Sequence, residues 1–355
     1  MPADLFDGRF ASHRVAAWHN LGVVTDEVMT AVQALDRMRS YDVTLEPLLV
    51  PTLGGGTLAS GYNAIVRHPT AEDDEYRTFG IVSGGYHLIT PQSLCQMWDA
   101  SVGAPVETIG ALGRGEQMFL TTKLPTFQVN GDEVDTYLIA VNPMTGGAAA
   151  QVRIAPVRVV CQNTLAMSRR QATESYSVTH NAQAETRMGE WLRDAYLRST
   201  AKVKMIQAAF VLLAGMIARP PMTKAIIDAA YPLPRRPRLN APAEVMTHRT
   251  EQYEQRVEWA LNARSRAGSL FGGSATGADT PAFDGTLWGV YNSVTELENY
   301  RRMHTVQSAS SSVLFGDRAD AMGRAYQVAM DCAQHPEDFA GRSVFRIDPD
   351  RTGAD

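Results

Sequence analysis

The chain has 355 residues, 45% hydrophobic and 20% charged, an ordinary globular composition with ample material for a buried core. Thirty-three Lys and Arg against 38 Asp and Glu leave a net charge of -5, which excludes whole-chain attraction to nucleic acid; such a partner has to be met by a local basic surface. The three cysteines, Cys95, Cys161 and Cys332, stand far apart without a CxxC pair or clustered histidines, so a disulfide framework, a metal site and a bound cofactor are not expected, and a reducing cytoplasm fits.

The N-terminal stretch MPADLFDGRFASHRVAAWHNLG lacks the basic-then-apolar order of a secretory signal. From Thr25 the apolar positions Val28, Val32, Leu35 and Met38 recur at helical spacing behind a capping residue, which predicts a helix over 26–39. YDVTLEPLLV, SGYNAIVRH and YRTFGIVSGGYHLI follow as strands between Gly, Pro and acidic punctuation. Thr90 before Pro91 opens a helix with Leu94, Met97 and Trp98 on its buried face. VETIGALG, EQMFLTTKLP, TFQV and EVDTYLIAV then form hairpins, one turning at Asn130 and Gly131, and AAAQVRIAPVRVV adds another strand. Residues 41 to 180 thus read as an antiparallel or mixed sheet with at least two helices. Helical period runs from Gln183 to Ile217, and its apolar run AAFVLLAGMIA is too short to cross a bilayer, so no membrane partner is expected. Repeated prolines from Pro220 to Pro242 break the chain, and helices follow near 243–268, 284–303 and 317–334. The whole is an α+β fold: an N-terminal sheet domain over 1–180, a mostly helical region over 181–335 and a polar tail over 336–355.

PVRVVCQNTLAMSRR, residues 156–170, supports two readings. Cys161 could be a nucleophile with His180 as base and Asn163 as orienter. Alternatively Val157, Val159 and Cys161 line one side of a strand, and Asn163 or Thr164 caps a helix carrying Leu165 and Met167. In that arrangement Gln162, Asn163 and Thr164 offer amide donors to an anion, with Arg153, Arg158, Arg169 and Arg170 nearby.

PVRVVCQNTLAMS resembles the arginine, cysteine, asparagine, threonine, leucine motif of the phage/plasmid-like proteins, a prokaryotic family built on a domain of unknown function. AAWHNLG with Trp18 and His19, GYHLITPQSL, VTHN at 178–181, LWGVYNSVTELENYRR at 287–302 and SSSVLFG are similar to further motifs of that family in the same order, so the resemblance covers roughly 14 to 332. The family tends to carry a lysine early in its last helix, where this chain offers Arg318 or Arg324. The resemblance implies a mobile-element setting among replication and recombination genes and brings no established reaction.

Other constellations are weaker. Trp18 and His19 form either a packed corner or a stacking pair. Asn292, Thr295 and Glu296 share a helical face with Asn299, close to Arg301, and could complete a site beside Gln162–Thr164. The glycine-rich LGGGTLASG has no GK[ST] ending and reads as a turn. Local charge says more. Arg187, Arg193, Arg198, Lys202 and Lys204 face only Glu190 and Asp194, while Arg219, Lys224, Arg235, Arg236, Arg238 and Arg249 face Asp228 and Glu244. The expected function is a non-catalytic, DNA-associated protein that binds single-stranded nucleic acid and assists annealing or recombination. Arg153, Arg158, Arg169, Arg170, Arg235, Arg236 and Arg238 would touch phosphates, Tyr176 or Trp191 would stack on bases, and a homo-oligomer is expected. The alternatives are a cysteine enzyme centred on Cys161, His180 and Asn163, and a module that binds a host protein to blunt a defence system.

Overall fold

Apolar and polar residues through 117–143 build the longest strand pair among the described residues. β7 (Gln117–Val129) and β8 (Asp132–Pro143) meet at Asn130 and Gly131, whose φ values of 45° and 96° give the hairpin turn read from the sequence. Pro125 cannot donate to the ladder; the register shifts between Leu124 and Phe127, and Thr136 Oγ1 donates to the Pro125 carbonyl at 2.7 Å. What the sequence analysis took as two segments is therefore one bulged strand. The computed structural model describes residues 5–13, 23–158, 163–164, 176–178, 183–237, 243–300 and 317–339.

Around this pair an eight-stranded sheet assembles. β9 (Ala150–Arg158) lies beside β8 and carries β10 (Asn163–Thr164) and β11 (Tyr176–Val178), all antiparallel. On the other side come β6 (Thr108–Leu112), β1 (Leu5–His13) and β2 (Val23–Thr25), and the β1–β2 pair is parallel, so the sheet is mixed. Nothing local announces β1, whose antiparallel partners lie some hundred residues away in β6. A second sheet holds β3 (Val43–Pro51), β4 (Thr57–Arg67) and β5 (Arg77–Ser83). Two buried arginines fasten it to the first: the guanidinium carbons of Arg9 and Arg67 lie 4.5 and 4.6 Å from the centroid of the Phe6 ring. Arg9 bonds Glu72 at 2.9 Å and Arg67 bonds Asp73 at 2.6 Å, and hydrogen bonds from Arg77 and Arg67 hold the Asp73 carboxyl well below the usual carboxylate range.

The first helix corrects an expectation. α1 spans Ala31–Arg37, not 26–39: residues 23–25 are strand β2, Val28 is exposed, and the cap is Thr30 in a capping box with Gln33. Asp99 decides the start, because its carboxylate accepts from the Ala31 and Val32 amides at 2.7 and 3.1 Å. Asp99 belongs to α2 (Pro91–Ser101), which begins behind Thr90 as read and buries Leu94, Cys95 and Trp98. α2 is the one helix among the described residues of 41–180, where at least two were expected.

In α3 (Ala184–Ala214), Met188, Leu192, Ala195, Ser199, Val203, Ile206, Phe210 and Leu213 recur every three or four residues and are buried against β7, β8 and β9. Pro220 and Pro221 do more than break the chain. They open α4 (Pro220–Ala230), in the first turn where a missing N–H costs nothing. α5 (Ala243–Ser269) ends in a π-helical turn, Leu270–Ser274, kinked at Gly273 with φ 113°. α6 (Leu287–Tyr300) and α7 (Asp317–Gln334) complete the helical half. One hydrophobic cluster runs through both halves. At its centre the Phe210 ring has Phe127 of the sheet at 6.2 Å, Trp288 at 4.8 Å, Tyr291 at 6.3 Å and Tyr326 at 6.0 Å. Among the described residues no helix is long and apolar enough to cross a membrane.

Candidate nucleic-acid interface

The end of α4 sets the site. Its last carbonyls have no helical partners, and arginines from two other helices meet them: Arg324 donates to the carbonyls of Ala229 and Ala230 at 2.9 and 2.8 Å, and Arg264 donates to Tyr231 at 2.9 Å. Arg264 also pairs with Asp228 at 2.8 Å. These bonds pin Tyr231, which is fully buried, and the Trp259 ring stands edge-on against it at 5.9 Å and 78°. Trp259 remains 46% exposed, while Trp98 and Trp288 are buried and Trp191 is half-buried against the core. Among the described residues, then, Trp259 rather than Trp191 presents an indole to solvent; the Tyr176 side chain lies outside them.

From Tyr231 the chain leads through Pro232, Leu233, Pro234, Arg235, Arg236 and Pro237, and the prolines favour extended backbone. It has to reach the start of α5 at Ala243, about 24 Å back along that helix from the level of Trp259 at ~1.5 Å per residue. Arg235 and Arg236 are exposed on this return path. Helical residues turn by about 100° each, so His248, Arg249, Gln252, Arg256 and Trp259 share one arc of about 100°. Glu251, Glu254 and Glu258 point directly away from the buried Ala260, Ala263 and Ala267, on a separate arc. Charge on this helix is therefore sorted, with Arg249 and Arg256 on the arc of the exposed indole and the glutamates on another. Among the described residues no hydrogen bond or ion pair engages the side chains of Arg235, Arg236, Arg249 or Arg256.

The other expected residues divide. Arg153 sits inside β9, half-buried, and its guanidinium donates to the Gln151 side chain. Arg158 ends β9 opposite Val134 and Asn163, and its side chain, with Arg169, Arg170, Arg238 and Arg301, lies outside the described residues. The basic residues of α3 do not form one stripe: Arg187, Arg198 and Lys202 lie on one flank, Arg193 and Lys204 on the other, and Arg198 pairs with Asp194 at 3.5 Å.

The helix expected behind Asn163 and Thr164 falls on residues 165–170, outside the described residues, and the two capping candidates are themselves extended. They fold back as β10, pairing with Arg158 and Val157 of β9, because extended backbone there completes the sheet edge. Gln162, Cys161, His180, Trp18 and His19 lie outside the described residues. α6 does pack against β10, as the Asn292 stripe suggested, but its polar groups are turned inward. Asn292 Nδ2 donates to the Trp288 carbonyl at 2.9 Å, Ser293 Oγ to Gly289 at 2.8 Å and Thr295 Oγ1 to Asn292 at 2.9 Å, all fully buried. Glu296 instead accepts from the Thr276 amide and hydroxyl at 3.1 Å, holding the loop after the π-turn. Arg318, offered in place of the family's lysine, is buried and donates to the Glu298 carbonyl at 2.9 Å; Arg324 caps α4.

Burial raises the Cys95 thiol far above the ordinary range and pushes Cys332 up to about 12. Both will resist alkylation at pH 8 until the chain unfolds. The native protein is therefore expected to take up at most one equivalent of iodoacetamide, all of it on Cys161. Mass spectrometry of the labelled peptides checks this, and label on Cys95 or Cys332 would contradict their burial.

Among the described residues no three of His, Cys, Asp and Glu stand close enough to hold a metal ion. No curated protein and no solved structure is significantly similar to the chain. The profile of a family described as a domain of unknown function, DUF932, matches residues 78–316, from β5 past α6, and so takes in Trp259, β10 and the buried stripe of α6. With about two thirds of its length matched, the chain belongs to the DUF932 family.

Proposed function

We propose that the chain binds single-stranded nucleic acid without catalysis, through the surface formed by Trp259, the Arg235–Arg236 loop and the basic arc of α5. The observation that carries the reading is the exposed Trp259 indole edge-on against Tyr231, on the helix arc that also holds Arg249 and Arg256, with exposed Arg235 and Arg236 four and five residues beyond Tyr231 in the chain. A strand without fixed sequence needs a π-surface for its bases and cations for its phosphates, and both stand together here. The resemblance to phage/plasmid-like proteins supports the same reading, since exposed single strands are routine in replication and recombination; assistance of annealing is proposed with it.

The test is anisotropy of a labelled single-stranded oligonucleotide across a salt series. Binding should weaken steeply with salt. In the double variant Arg235→Ala/Arg236→Ala the slope of log K against log salt should fall by about 1.4, at ~0.7 per phosphate on a single strand. Absence of binding at low salt sinks the reading.

A further inference from the structure

β3 and β4 outrun their sheet. β5 pairs with β4 from Tyr62 to Arg67 only, so residues 47–61 stand out as a two-stranded ribbon. Its tip is closed by Thr52 and Gly56, which exchange bonds at 2.8 and 3.2 Å. At its base the β3–β4 register shifts between Pro47 and Leu49 and Gly61 takes φ 78°, so the ribbon turns away from the sheet there. No residue from Pro47 to Val66 carries a charge, and Leu49, Val50, Leu53 and Leu58 are exposed. A two-stranded ribbon is marginal in water, and exposed edges are normally blunted by charge, which this one lacks.

The same chain carries a second unpartnered apolar surface. On the outer side of α3, Leu197, Ala201, Met205, Ala208 and Leu212 recur every three or four residues and are exposed; Arg198 and Lys204 stand one at each margin of the stripe. The two surfaces match in length. From Pro47 to its tip the ribbon runs about 20 Å at ~3.3 Å per residue, and the stripe from Leu197 to Leu212 about 22 Å at ~1.5 Å per residue. They match in character as well, because an uncharged ribbon is best laid on a stripe whose cations stand only at its margins, where their long side chains reach water. Within one copy both remain exposed, so neither covers the other.

We infer that the ribbon of one copy docks along the α3 stripe of a second copy. Such a contact is head-to-tail, so repeating it gives a closed ring or a filament. The ribbon is smaller than the roughly 20–30 residues a side of a standard interface. A lone pair therefore holds weakly, and closure, in which every copy gives a ribbon and receives one, holds firmly.

Light scattering of the full chain over a concentration series tests it, using two variants at exposed positions: Leu53→Asp/Leu58→Glu on the ribbon and Leu197→Glu/Met205→Glu on the stripe. Wild type should assemble beyond the monomer, and each folded variant should stay monomeric. Their equimolar mixture retains one intact ribbon facing one intact stripe and should give a two-copy complex, nothing larger, at concentrations above those wild type needs. A monomeric wild type overturns the inference. So does a stripe variant that assembles like wild type, which would point to ribbon-on-ribbon pairing, and so does a mixture with no complex at the top of the series. Wild type that stays monomeric and binds phosphatidylcholine vesicles through the ribbon would assign the ribbon to lipid instead.

Discussion

Replacing Trp259 by alanine is expected to weaken single-strand binding roughly 5- to 150-fold, since stacking of one base is worth about 1–3 kcal/mol. The salt slope should not change, because no cation is removed. This pairing of a large loss in affinity with an unchanged slope separates stacking from phosphate contact, and Arg235→Ala/Arg236→Ala should give the opposite signature. Trp259→Phe keeps a ring on Tyr231 and should recover most of the affinity, whereas a Trp259 that serves only to cover Tyr231 would lower the melting temperature without touching binding. Anisotropy titrations at three salt concentrations, with thermal melts of the same samples, distinguish these outcomes. Equal binding by wild type and Trp259→Ala would remove the indole from the site.

Trp259 was not singled out from the sequence, and the reason is physical. Its partner Tyr231 lies beyond a proline-rich loop, so nothing local announces the contact. The sorting of Arg249 and Arg256 from Glu251, Glu254 and Glu258 follows from a 100° rotation, yet it gains meaning only once Ala260, Ala263 and Ala267 fix which side faces the core. Trp191 looked equivalent because half-burial of an amphipathic helix cannot be read from its own residues. Local chemistry was legible where it decides structure alone: the Asn130–Gly131 turn, the Thr90–Pro91 helix start and α7 at 317–334. It failed where a distant partner decides, as for β1 between β6 and β2 and for α1 capped from Asp99. The polar stripe of α6 was ambiguous for a different reason: Asn292 and Thr295 spend their donors on carbonyls of their own helix, which the spacing of the residues does not reveal.

Phe210→Ala should produce the largest loss of stability, about 3–5 kcal/mol, because a buried phenyl ring is removed and the cavity cannot collapse between a sheet and three helices. For a chain of this length that corresponds to a fall of roughly 4–7 °C in melting temperature if unfolding is two-state. Phe210→Leu, which keeps most of the volume, should cost less than about 1.5 kcal/mol. The ring also tests how the two halves depend on each other. Phe127 belongs to β7, Trp288 and Tyr291 to α6 and Tyr326 to α7, and all four surround the Phe210 ring of α3. A core shared in this way couples sheet and helices, so wild type should melt in one transition followed alike by far-ultraviolet dichroism and tryptophan fluorescence, whose buried probes Trp98 and Trp288 report from α2 and α6. Phe210→Ala should lower that transition while keeping it single or, if the ring is the main coupling, split it with the Trp288 signal lost first. Two separated transitions in wild type would mean that the continuous cluster does not bind the halves into one cooperative unit.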